Sequence, residues 1–461
     1  MKKLILFALS LWAYTGMAQN ISGYWEGMLR ISAKDSLRLG MYVVQNGDSI
    51  SVELDSPDQY SIGAQGSNVT WADSSISWKL SSVNASYKGT LTKDSQFEGT
   101  FRQGSLKLPL TLERGHERTV INRPQTPDEP YPYTEEEIRI KDKSGKFDLI
   151  NGTLTLPSGA SKGLVILLTG SGWQNRDEEL FAHKPFLVIA DHLTRRGYAV
   201  FRYDDFPTVV FAKSTTYDFA DGVTMILDSF AKRPDLSSLP TGLLGHSEGS
   251  LVAEIVAARD KRIDFVITLG GVAQTISDVL LYQVHAINEA SGELTPEEND
   301  YAVETSKAIY DIIAKSKSPD DAAKKINELY SYQSGTLITS KIESDIFSQN
   351  KKAEIMQMVY SPWFYTLFHH QPKKHIKKMR CPLLAIGGEK DLQVDAVTNN
   401  TLFKAYLPKN PLHRFEVIPH ANHLLQTCTT GSPDEYGIIE ETIQPKVLEI
   451  MRVWLDSAVS R

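Results

Sequence analysis

The pentapeptide at residues 245–249 places Ser247 between two glycines in the pattern G-x-S-x-G, which occurs once in the chain. An apolar segment typical of a strand precedes it, and a segment typical of a helix, residues 250–258, follows it. A serine on so sharp a strand-to-helix turn needs small neighbours, because larger side chains would collide there. A glycine-rich connection without a catalytic role is the alternative. The context favours Ser247 as a nucleophile for acyl transfer.

A carboxylate that could orient a histidine follows a later apolar run, residues 382–386. The carboxyl ends of parallel strands meet at one edge of a sheet, so a side chain just past this run can reach the edge that carries Ser247. Asp391 is the predicted acid. Asp395 is its competitor and Glu389 a weaker one, and each of the three could instead be a solvated acid of the loop.

Two histidines follow the last apolar run, residues 414–418. His420 lies directly at the end of this run, whereas His423 opens the segment that leads to the final helix, the usual place for a catalytic imidazole. A serine, an acid and a histidine in this order along the chain are typical of α/β-hydrolases. We therefore predict a triad of Ser247, Asp391 and His423, with His420 as the competing base.

The elements that must position this triad alternate, from Glu136 onward, between apolar runs and helical segments. The runs cover residues 163–168, 198–203, 241–245, 265–269, 382–386 and 414–418. Buried runs that alternate with helices indicate a mostly parallel, doubly wound α/β sheet covered on both faces. Between the runs at 265 and 382 the chain shows helix-start signals, such as the capping box with proline at residues 295–298. This interval predicts a helical cap inserted at about 274–378.

Residues 20–115 have a different pattern, in which apolar residues alternate with period two in short runs separated by turn signals. Such runs predict a small antiparallel all-β domain, either a sandwich or a barrel. The opening segment, residues 23–27, resembles the first strand of lipocalin-like barrels. Prolines concentrated within residues 116–135 predict an extended linker, which leaves residues 136–461 as the α/β domain.

The first residues have the features of a secretory signal. Lysines at positions 2 and 3 precede a short apolar run, residues 4–13, and small residues, Gly16 and Ala18, precede a cleavage point. The apolar run is too short to span a membrane. We therefore expect cleavage of a signal peptide, residues 1–18, and export to the periplasm or the medium, without stable membrane insertion.

The composition of the 461 residues is that of a globular protein, with 41% apolar and 23% charged residues. A net charge of −7 provides no basic surface, so no nucleic-acid partner is expected. Two cysteines, Cys381 and Cys428, are too few for a disulfide scaffold and lack the neighbours of a metal site. We expect neither a metal nor an organic cofactor; the oligomeric state stays open.

From Glu136 to the C-terminus the chain resembles bacterial α/β-hydrolases of the esterase, serine-aminopeptidase-like and dienelactone-hydrolase-like groups. The matching segments are residues 168–172, 175–177, 183–186, 202–205, 245–249, 361–363 and 421–423. A β-rich leader domain with a proline linker is similar to exported members of this group. The resemblance implies that His423 is the base, because relatives place it after Ala-Asn. The chain differs from the residues usual in these relatives at positions 206–211, at Trp173 and at Ser250. These differences leave the triad intact and affect the expected shape of the substrate pocket.

The α/β-hydrolase geometry implies an oxyanion hole made of backbone N–H groups. One donor is Glu248, the residue after the nucleophile, and the second lies in the loop after the first parallel strand, at Ser171 or Gly172. The helical cap leaves the sheet at the edge that carries the nucleophile, so Trp363 of the cap is assigned to the substrate pocket. Trp173, in the loop that carries the second oxyanion donor, is assigned to the same pocket. Packing of the cap onto the core is the alternative role for Trp363.

A serine hydrolase acting on a small-molecule carboxylic ester is the predicted function. Fold and triad do not separate ester from amide cleavage, so a serine peptidase of the aminopeptidase type is the alternative. Such a peptidase would need an acidic clamp for a free amino terminus, which Glu248 or acids of the cap could supply. A binding protein with an idle hydrolase fold is a third hypothesis, against which the presence of all three triad residues argues.

Overall fold

The computed structural model describes residues 20–32, 35–47, 49–104, 106–115, 117–333 and 347–460. The chain forms two compact units, Met1–Ile121 and Asn122–Arg461. The predicted signal peptide, residues 1–18, lies outside the described residues. Cys381 and Cys428 are both free thiols. None of the helices that the structure describes is long and apolar enough to cross a membrane.

The described part of the first unit is built from nine strands that pair antiparallel with their neighbours. They are β1 (Gly23–Arg30), β2 (Ser36–Asn46), β3 (Ser49–Ser56), β4 (Ser61–Gln65), β5 (Ser67–Ala72), β6 (Ser75–Leu80), β7 (Ala85–Leu91), β8 (Phe97–Gln103) and β9 (Leu106–Arg114). Their order in the sheet is β4-β3-β2-β1-β9-β8-β7-β6-β5. Single 3₁₀ turns, Pro57–Gln59 and Ser81–Val83, lie in two of the connections.

This sheet closes on itself through strands β4 and β5. Only Gly66 separates them, and β4 pairs with β3 while β5 pairs with β6. The N–H of Gly66 donates to the carbonyl of Val52 in β3 at 2.8 Å. The two strands are therefore halves of one bent strand, and the result is a small barrel rather than a sandwich. Trp25 and Phe97 are in the core of this unit, with their ring centroids 4.5 Å apart.

Residues 122–133 have no regular secondary structure, but they are fastened to the second unit rather than free. The guanidinium group of Arg123 donates to the carbonyls of Phe181 and Gly437, at 2.7 and 2.8 Å. The amide of Gln125 donates to the carbonyl of Ile443 at 2.8 Å. In the second half of the predicted linker, residues 116–135, polar side chains therefore bond to the second unit.

The second unit contains an eight-stranded mixed sheet over the part of the chain that the structure describes. Its strands are β10 (Thr134–Lys141), β11 (Leu149–Leu156), β12 (Leu164–Leu168), β13 (Ala199–Tyr203), β14 (Thr241–His246), β15 (Ile263–Leu269), β16 (Leu383–Gly388) and β17 (Arg414–Ile418). The order is β10-β11-β13-β12-β14-β15-β16-β17. Strands β12 to β17 run parallel and correspond to the predicted apolar runs, whereas β10 and β11 form an antiparallel edge.

Helices cover both faces of this sheet. In chain order they are α1 (Pro185–Thr194), α2 (Thr208–Phe211), α3 (Thr216–Phe230), α4 (Glu248–Arg259), α5 (Ile276–Ser291), α6 (Pro296–Lys315), α7 (Pro319–Gln333), α8 (Gln349–Tyr360), α9 (Pro362–His369), α10 (Pro372–Ile376), α11 (Ala396–Tyr406) and α12 (Pro445–Val459). Apolar residues of α1 and α12 form one core cluster with the sheet, and those of α3, α4 and α11 form another. A 3₁₀ turn, Pro433–Glu435, precedes α12.

Helices α5 to α10 lie between β15 and β16, in the interval predicted as a cap, residues 274–378. Several of them share an apolar cluster of their own, which includes Ile313, Val359, Phe364 and Phe368. The cap therefore has its own small core. It begins directly after the carboxyl end of β15, the edge of the sheet at which the predicted catalytic residues also lie.

Candidate active site

Ser247 lies on a sharp turn between strand β14 and helix α4. Its backbone has a φ of 50° and a ψ of −117°, a conformation that residues other than glycine rarely adopt. A Cβ atom on Gly245 would lie 2.2 Å from the carbonyl oxygen of Gly249, and one on Gly249 would lie 2.2 Å from that of Leu168. The two glycines of the motif are thus required by close backbone approach, and the turn places Ser247 at the carboxyl end of its strand.

Asp391 and His423 form a buried hydrogen-bonded pair. Asp391 follows β16 and His423 follows β17, and Oδ2 of the aspartate lies 2.8 Å from Nδ1 of the histidine. The other carboxylate oxygen accepts from the backbone N–H groups of Gln393 and Val394, both at 2.8 Å. Gly270, with a φ of 56°, leaves room for the pair, since a Cβ there would lie 3.0 Å from the imidazole. The carboxylate is fixed, and the imidazole Nε2 faces away from it.

The competing candidates lie in other environments. Asp395 caps helix α11 by accepting from the N–H groups of Val397 and Thr398. Glu389 accepts from the backbone N–H of His420 at 2.8 Å, and the His420 side chain is 69% exposed. The structure therefore leaves all three competitors, Asp395, Glu389 and His420, outside the hydrogen-bonded pair.

Ser247 and His423 line the same cavity. The His423 ring bonds to Asp391, and no hydrogen bond between the serine hydroxyl and the imidazole is among those of the described residues. A bond between nucleophile and base is often long before a substrate binds. The structure places Ser247 and His423 in the wall of one cavity, with the imidazole oriented by its bond to Asp391.

The loop after strand β12 carries the predicted second oxyanion donor. The N–H of Gly170 donates to the Glu178 carboxylate at 2.7 Å. Ser171 and Gly172 therefore remain the predicted oxyanion donors of this loop. Gly172 has a φ of 89°, where glycine is favoured. Ser171 and Glu248 line the cavity, and Glu248 opens helix α4, where the first N–H groups have no partner within the helix.

Two aspartates after strand β13 fasten this loop. Asp204 accepts from the guanidinium group of Arg176 at 2.7 and 3.1 Å. Asp205 accepts from the Thr169 hydroxyl at 3.1 Å and from the N–H of Gln174 at 2.7 Å. Burial raises the pKa of Asp205 to about 7, although these two hydrogen bonds act to lower it. The carboxyl group of Asp205 therefore changes its charge near neutral pH.

A second buried pair, His246 with Glu178, lies beside the nucleophile. Nδ1 of His246 is 2.9 Å from the Glu178 carboxylate, and Nε2 donates to the backbone carbonyl of His423 at 3.2 Å. Burial lowers the pKa of His246, but the Glu178 carboxylate, the His423 carbonyl and Asp391 together raise it, and the net direction is upward. The same Glu178 oxygen holds Gly170. This network joins the nucleophile turn, the oxyanion loop and the base, and the sequence analysis did not identify it.

The side chain of Glu248 lies under the cap and is bonded to three donors. Its Oε1 accepts from the Thr216 hydroxyl and from the indole N–H of Trp363, both at 2.7 Å. The Ser171 hydroxyl also bonds to it. Burial raises the pKa of Glu248, and these bonds act to lower it. Trp363 is in helix α9, so Glu248 links the cap to both predicted halves of the oxyanion hole.

The cavity has a volume of about 340 Å³. About half of its described lining residues are apolar: Leu180, Pro185, Leu251, Val272, Ile276, Val279, Leu280, Trp363, Phe364, Leu367, Val394 and Leu424. Among the described residues that line it, the carboxylates are Glu178 and Glu248, and there is no lysine or arginine. Trp363 is in this wall as assigned. Trp173 is not among the described lining residues: it is 48% exposed, with its indole N–H on the Phe206 carbonyl.

The first cap helix is tied to the loop that carries Asp391. The Tyr282 hydroxyl donates to the backbone carbonyl of Asp391 at 2.8 Å, and the amide of Gln283 donates to that of Gln393 at 3.1 Å. Helix α5 is thus held at the same sheet edge as the Asp391–His423 pair.

His183 also lines the cavity. Burial lowers the pKa of its imidazole to about 4, so it is neutral at physiological pH.

Comparison with known proteins finds similarity to esterases and to a dienelactone hydrolase. No family model matches the chain. Esterase EstD of Thermotoga maritima is 23% identical over 339 residues, which cover 71% of this chain and 68% of that protein. A dienelactone hydrolase from Anabaena variabilis is 16% identical, covering 71% of this chain and 99% of its own, with a TM-score of 0.39. A carboxyl esterase from Bacillus coagulans is 14% identical, covering 70% and 99%, with a TM-score of 0.41.

Proposed function

We infer that this chain, whose predicted resemblance to the esterase-type α/β-hydrolases is confirmed, is a carboxylic ester hydrolase that works through Ser247, His423 and Asp391. One observation carries the triad. His423, which is buried and joined to Asp391 at 2.8 Å, shares a cavity wall with a serine on a strained strand-to-helix turn. Apolar surface surrounds this polar group, as expected of a site for a small acyl substrate.

The reaction follows from the groups in place. The Ser247 hydroxyl attacks the acyl carbon of the ester, while Nε2 of His423 takes the hydroxyl proton. The same proton then passes to the leaving alkoxide, the alcohol departs and the acyl group stays on the serine oxygen. Water, deprotonated by the same imidazole, attacks the acyl-enzyme and releases the carboxylic acid and the free serine. Asp391 holds the ring by Nδ1 and stabilises its charged form.

The negative oxygen of the tetrahedral intermediate needs donors that are already in position. We assign this role to the backbone N–H of Glu248 and to that of Ser171 or Gly172. Both segments are fastened by side chains, since Glu178 holds the loop at Gly170 and the donors on the Glu248 carboxylate hold the turn. Donors fixed in this way stabilise the oxyanion without reorganising during the reaction.

The peptidase alternative has less support from the site. A clamp for a free amino terminus would need a carboxylate with unoccupied oxygens facing the substrate. The carboxylate of Glu248 is buried and bonded to Thr216 and Trp363, and that of Glu178 is bonded to Gly170 and His246. Both carboxylates are therefore already engaged through Oε1 by the site's own groups, which gives less support to a role in holding an ammonium group.

Hydrolysis of a nitrophenyl acyl ester and labelling by a fluorophosphonate test this function together. Wild-type enzyme should turn over the ester and react with the probe, and Ser247→Ala should lose the labelling and slow turnover by roughly 10⁴-fold or more. Ser237→Ala is the matched control, because Ser237 is exposed in the same unit. Ester hydrolysis and labelling that survive Ser247→Ala would overturn the assignment.

Export is a further part of the proposal. The charged start, apolar run and small residues of positions 1–18 support a cleavable signal. Expression of the full chain in a Gram-negative host should place the protein outside the cytoplasm. N-terminal sequencing of the mature protein should then begin directly after Ala18, and a cytoplasmic protein that keeps Met1 would contradict the proposal.

A further inference from the structure

Both ring nitrogens of His246 face oxygen atoms that accept hydrogen bonds. Nδ1 lies 2.9 Å from Oε1 of the Glu178 carboxylate, and Nε2 lies 3.2 Å from the backbone carbonyl oxygen of His423. A neutral imidazole has one hydrogen to donate, whereas an imidazolium has two. Two donated hydrogen bonds therefore assign a hydrogen to each nitrogen of His246 and a positive charge to its ring.

His413 shows the opposite arrangement in the same unit. Its Nδ1 accepts from the backbone N–H of Leu383 at 3.1 Å, and its Nε2 donates to the carbonyl of Pro408 at 2.8 Å. One nitrogen that accepts and one that donates define a neutral ring. Burial also lowers the pKa of His413. The same reasoning thus assigns different charges to two histidines of one chain, which gives the positive charge of His246 an internal reference.

The groups around His246 favour its charged form. Burial lowers the pKa of this histidine, but the Glu178 carboxylate, the His423 carbonyl and Asp391 outweigh it. Oε1 of Glu178 also accepts from the N–H of Gly170 at 2.7 Å. Two N–H donors on one oxygen favour a carboxylate over a carboxylic acid. A cation and an anion therefore lie side by side, and both are largely shielded from water, with 9% of His246 and 6% of Glu178 exposed.

This pair lies where three parts of the candidate active site meet. A Cβ on Gly170 would lie 3.3 Å from Oε1 of Glu178, 3.4 Å from Nδ1 of His246 and 3.4 Å from Cβ of Ser247. The ring centroids of His246 and His423 are 4.9 Å apart. Glu178 has a φ of 50°, which residues other than glycine rarely adopt. Such strain persists where the surrounding contacts fix the residue, as the two bonds to its carboxylate do here.

We propose that His246 and Glu178 are a permanent buried ion pair and act as positioning residues for ester hydrolysis. The imidazolium holds the backbone of His423, and the carboxylate holds Gly170 at the start of the loop that carries an oxyanion donor. Because His246 directly precedes Ser247, one pair fixes the base and this loop relative to the nucleophile. Neither residue exchanges a proton with the substrate. The positioning role, but not the ion pair itself, rests on the proposed ester hydrolysis.

The charge is measured by heteronuclear NMR of the full chain with isotopically labelled histidine, at about pH 8, where a histidine with the ordinary pKa of about 6.5 is neutral. His246→Gln and His413→Gln assign the two sets of signals. In the wild type, His246 should carry a proton on both nitrogens and His413 on one. Glu178→Gln keeps an oxygen that accepts from Gly170 but removes the negative charge, so His246 should then lose one of its two protons.

Two substitutions at Glu178 measure the positioning role by kcat for each Ser247 that a fluorophosphonate labels. Glu178→Ala releases both the loop and His246, so kcat should fall about 10²-fold with KM little changed, as when an oxyanion donor is lost. Glu178→Gln keeps the bond to Gly170 and should lower kcat about tenfold, the loss of one bond to a charged group. Glu441→Gln is the matched control and should not change kcat. Glu441 also accepts a backbone N–H, that of Thr427 at 2.7 Å, but it is not among the described lining residues of the cavity.

Either of two results would overturn the proposal. A wild-type His246 with a proton on only one nitrogen would exclude the ion pair. An unchanged kcat for each labelled site in both Glu178 variants, together with a lower melting temperature, would mean that the pair stabilises the fold alone. A wild-type chain that neither hydrolyses the ester nor reacts with the probe would instead contradict the proposed function, and the NMR measurement would still decide the ion pair.

Discussion

The single bond between Asp391 and His423 decides which nitrogen of the imidazole is available to Ser247. An asparagine at 391 would present its amide to Nδ1 and favour the wrong tautomer. We therefore expect Asp391→Asn to lower kcat by about 10⁴-fold with KM little changed, and His423→Ala to be similarly slow. Steady-state kinetics with a nitrophenyl ester measure both.

His420→Ala is the matched control for the base. Its side chain is 69% exposed, and Glu389, which accepts from its backbone N–H at 2.8 Å, lies 3.7 Å from Nδ1 of its ring. The variant should keep wild-type kcat and KM. If His420→Ala were the slow enzyme and His423→Ala the active one, the base would be misassigned.

Asp205 gives a pH dependence with a definite sign. Its pKa in the folded chain is raised from 3.8 to about 7, chiefly by burial. Between these values the folded chain keeps a proton that the unfolded chain has released, so this group makes the free energy of unfolding fall as pH rises. Asp205→Asn keeps an acceptor for Gln174 and removes the titration. Its stability relative to the wild type should therefore increase from about pH 4 to pH 7 and then level off, as chemical denaturation at several pH values would show. A difference that is constant across this range would contradict the shift.

The residues of the site differ in how well the sequence predicts them. Ser247, Asp391 and His423 each follow an apolar run, so the common edge of a parallel sheet predicts that they meet. The pair of His246 and Glu178 leaves no such signal, because Glu178 belongs to a loop far away in sequence and contacts His246 only after the sheet has formed. The sequence shows only the histidine itself, at the first variable position of G-x-S-x-G, and not its partner.

At the scale of elements, the bond from Trp363 to Glu248 places a cap helix directly on the nucleophile turn. Trp363 also lines the cavity, so its removal takes away contacts that some acyl chains make and others do not. We expect Trp363→Ala to change kcat/KM by different factors along a series of nitrophenyl esters from acetate to decanoate. The measured quantity is the ratio of kcat/KM between esters of different acyl length. A uniform loss of folded enzyme does not alter this ratio.

Phe368→Ala is the control within the same helix. Phe368 is buried in the cap cluster and is not among the described lining residues. Its truncation should lower the melting temperature, since a buried phenylalanine replaced by alanine typically costs about 3–5 kcal/mol. All esters should then be affected alike. Uniform loss for Trp363→Ala, together with a similar drop in melting temperature, would contradict the pocket role.

Elements with strong apolar runs are predicted well, and those that depend on tertiary partners are not. Strands β12 to β17 follow directly from their buried runs, whereas β10 has the sequence Thr134–Lys141, which is mostly polar and charged. It is a strand because it pairs with β11 along its whole length at the edge of the sheet. In the barrel, period-two alternation predicts hairpins, but it does not reveal that β4 and β5 join into one strand that closes the sheet.

At the scale of the whole molecule, the division at Ile121 and Asn122 sets where the α/β unit can be separated. The predicted domain start, Glu136, lies within β10 and after several contacts that hold this unit. Arg123 and Gln125 bond to its loops, and Glu135 pairs with Arg202 at 2.9 Å. Only 5% of the Arg202 side chain is exposed, so its buried positive charge needs carboxylate partners to compensate the loss of hydration.

Two truncated chains distinguish these boundaries. A chain that begins at Asn122 keeps every one of these contacts and should fold with Ser247 reactive to a fluorophosphonate. A chain that begins at Glu136 loses the bonds of Arg123, Gln125 and Glu135; at about 1 kcal/mol for each bond, it should be less stable by roughly 3 kcal/mol or more. Thermal and urea unfolding of the two chains, with probe labelling as the check on the site, measure the difference. Equal stability would mean that residues 122–135 do not contribute to the unit, and failure of both chains to fold would mean that the β-rich unit is needed to complete it.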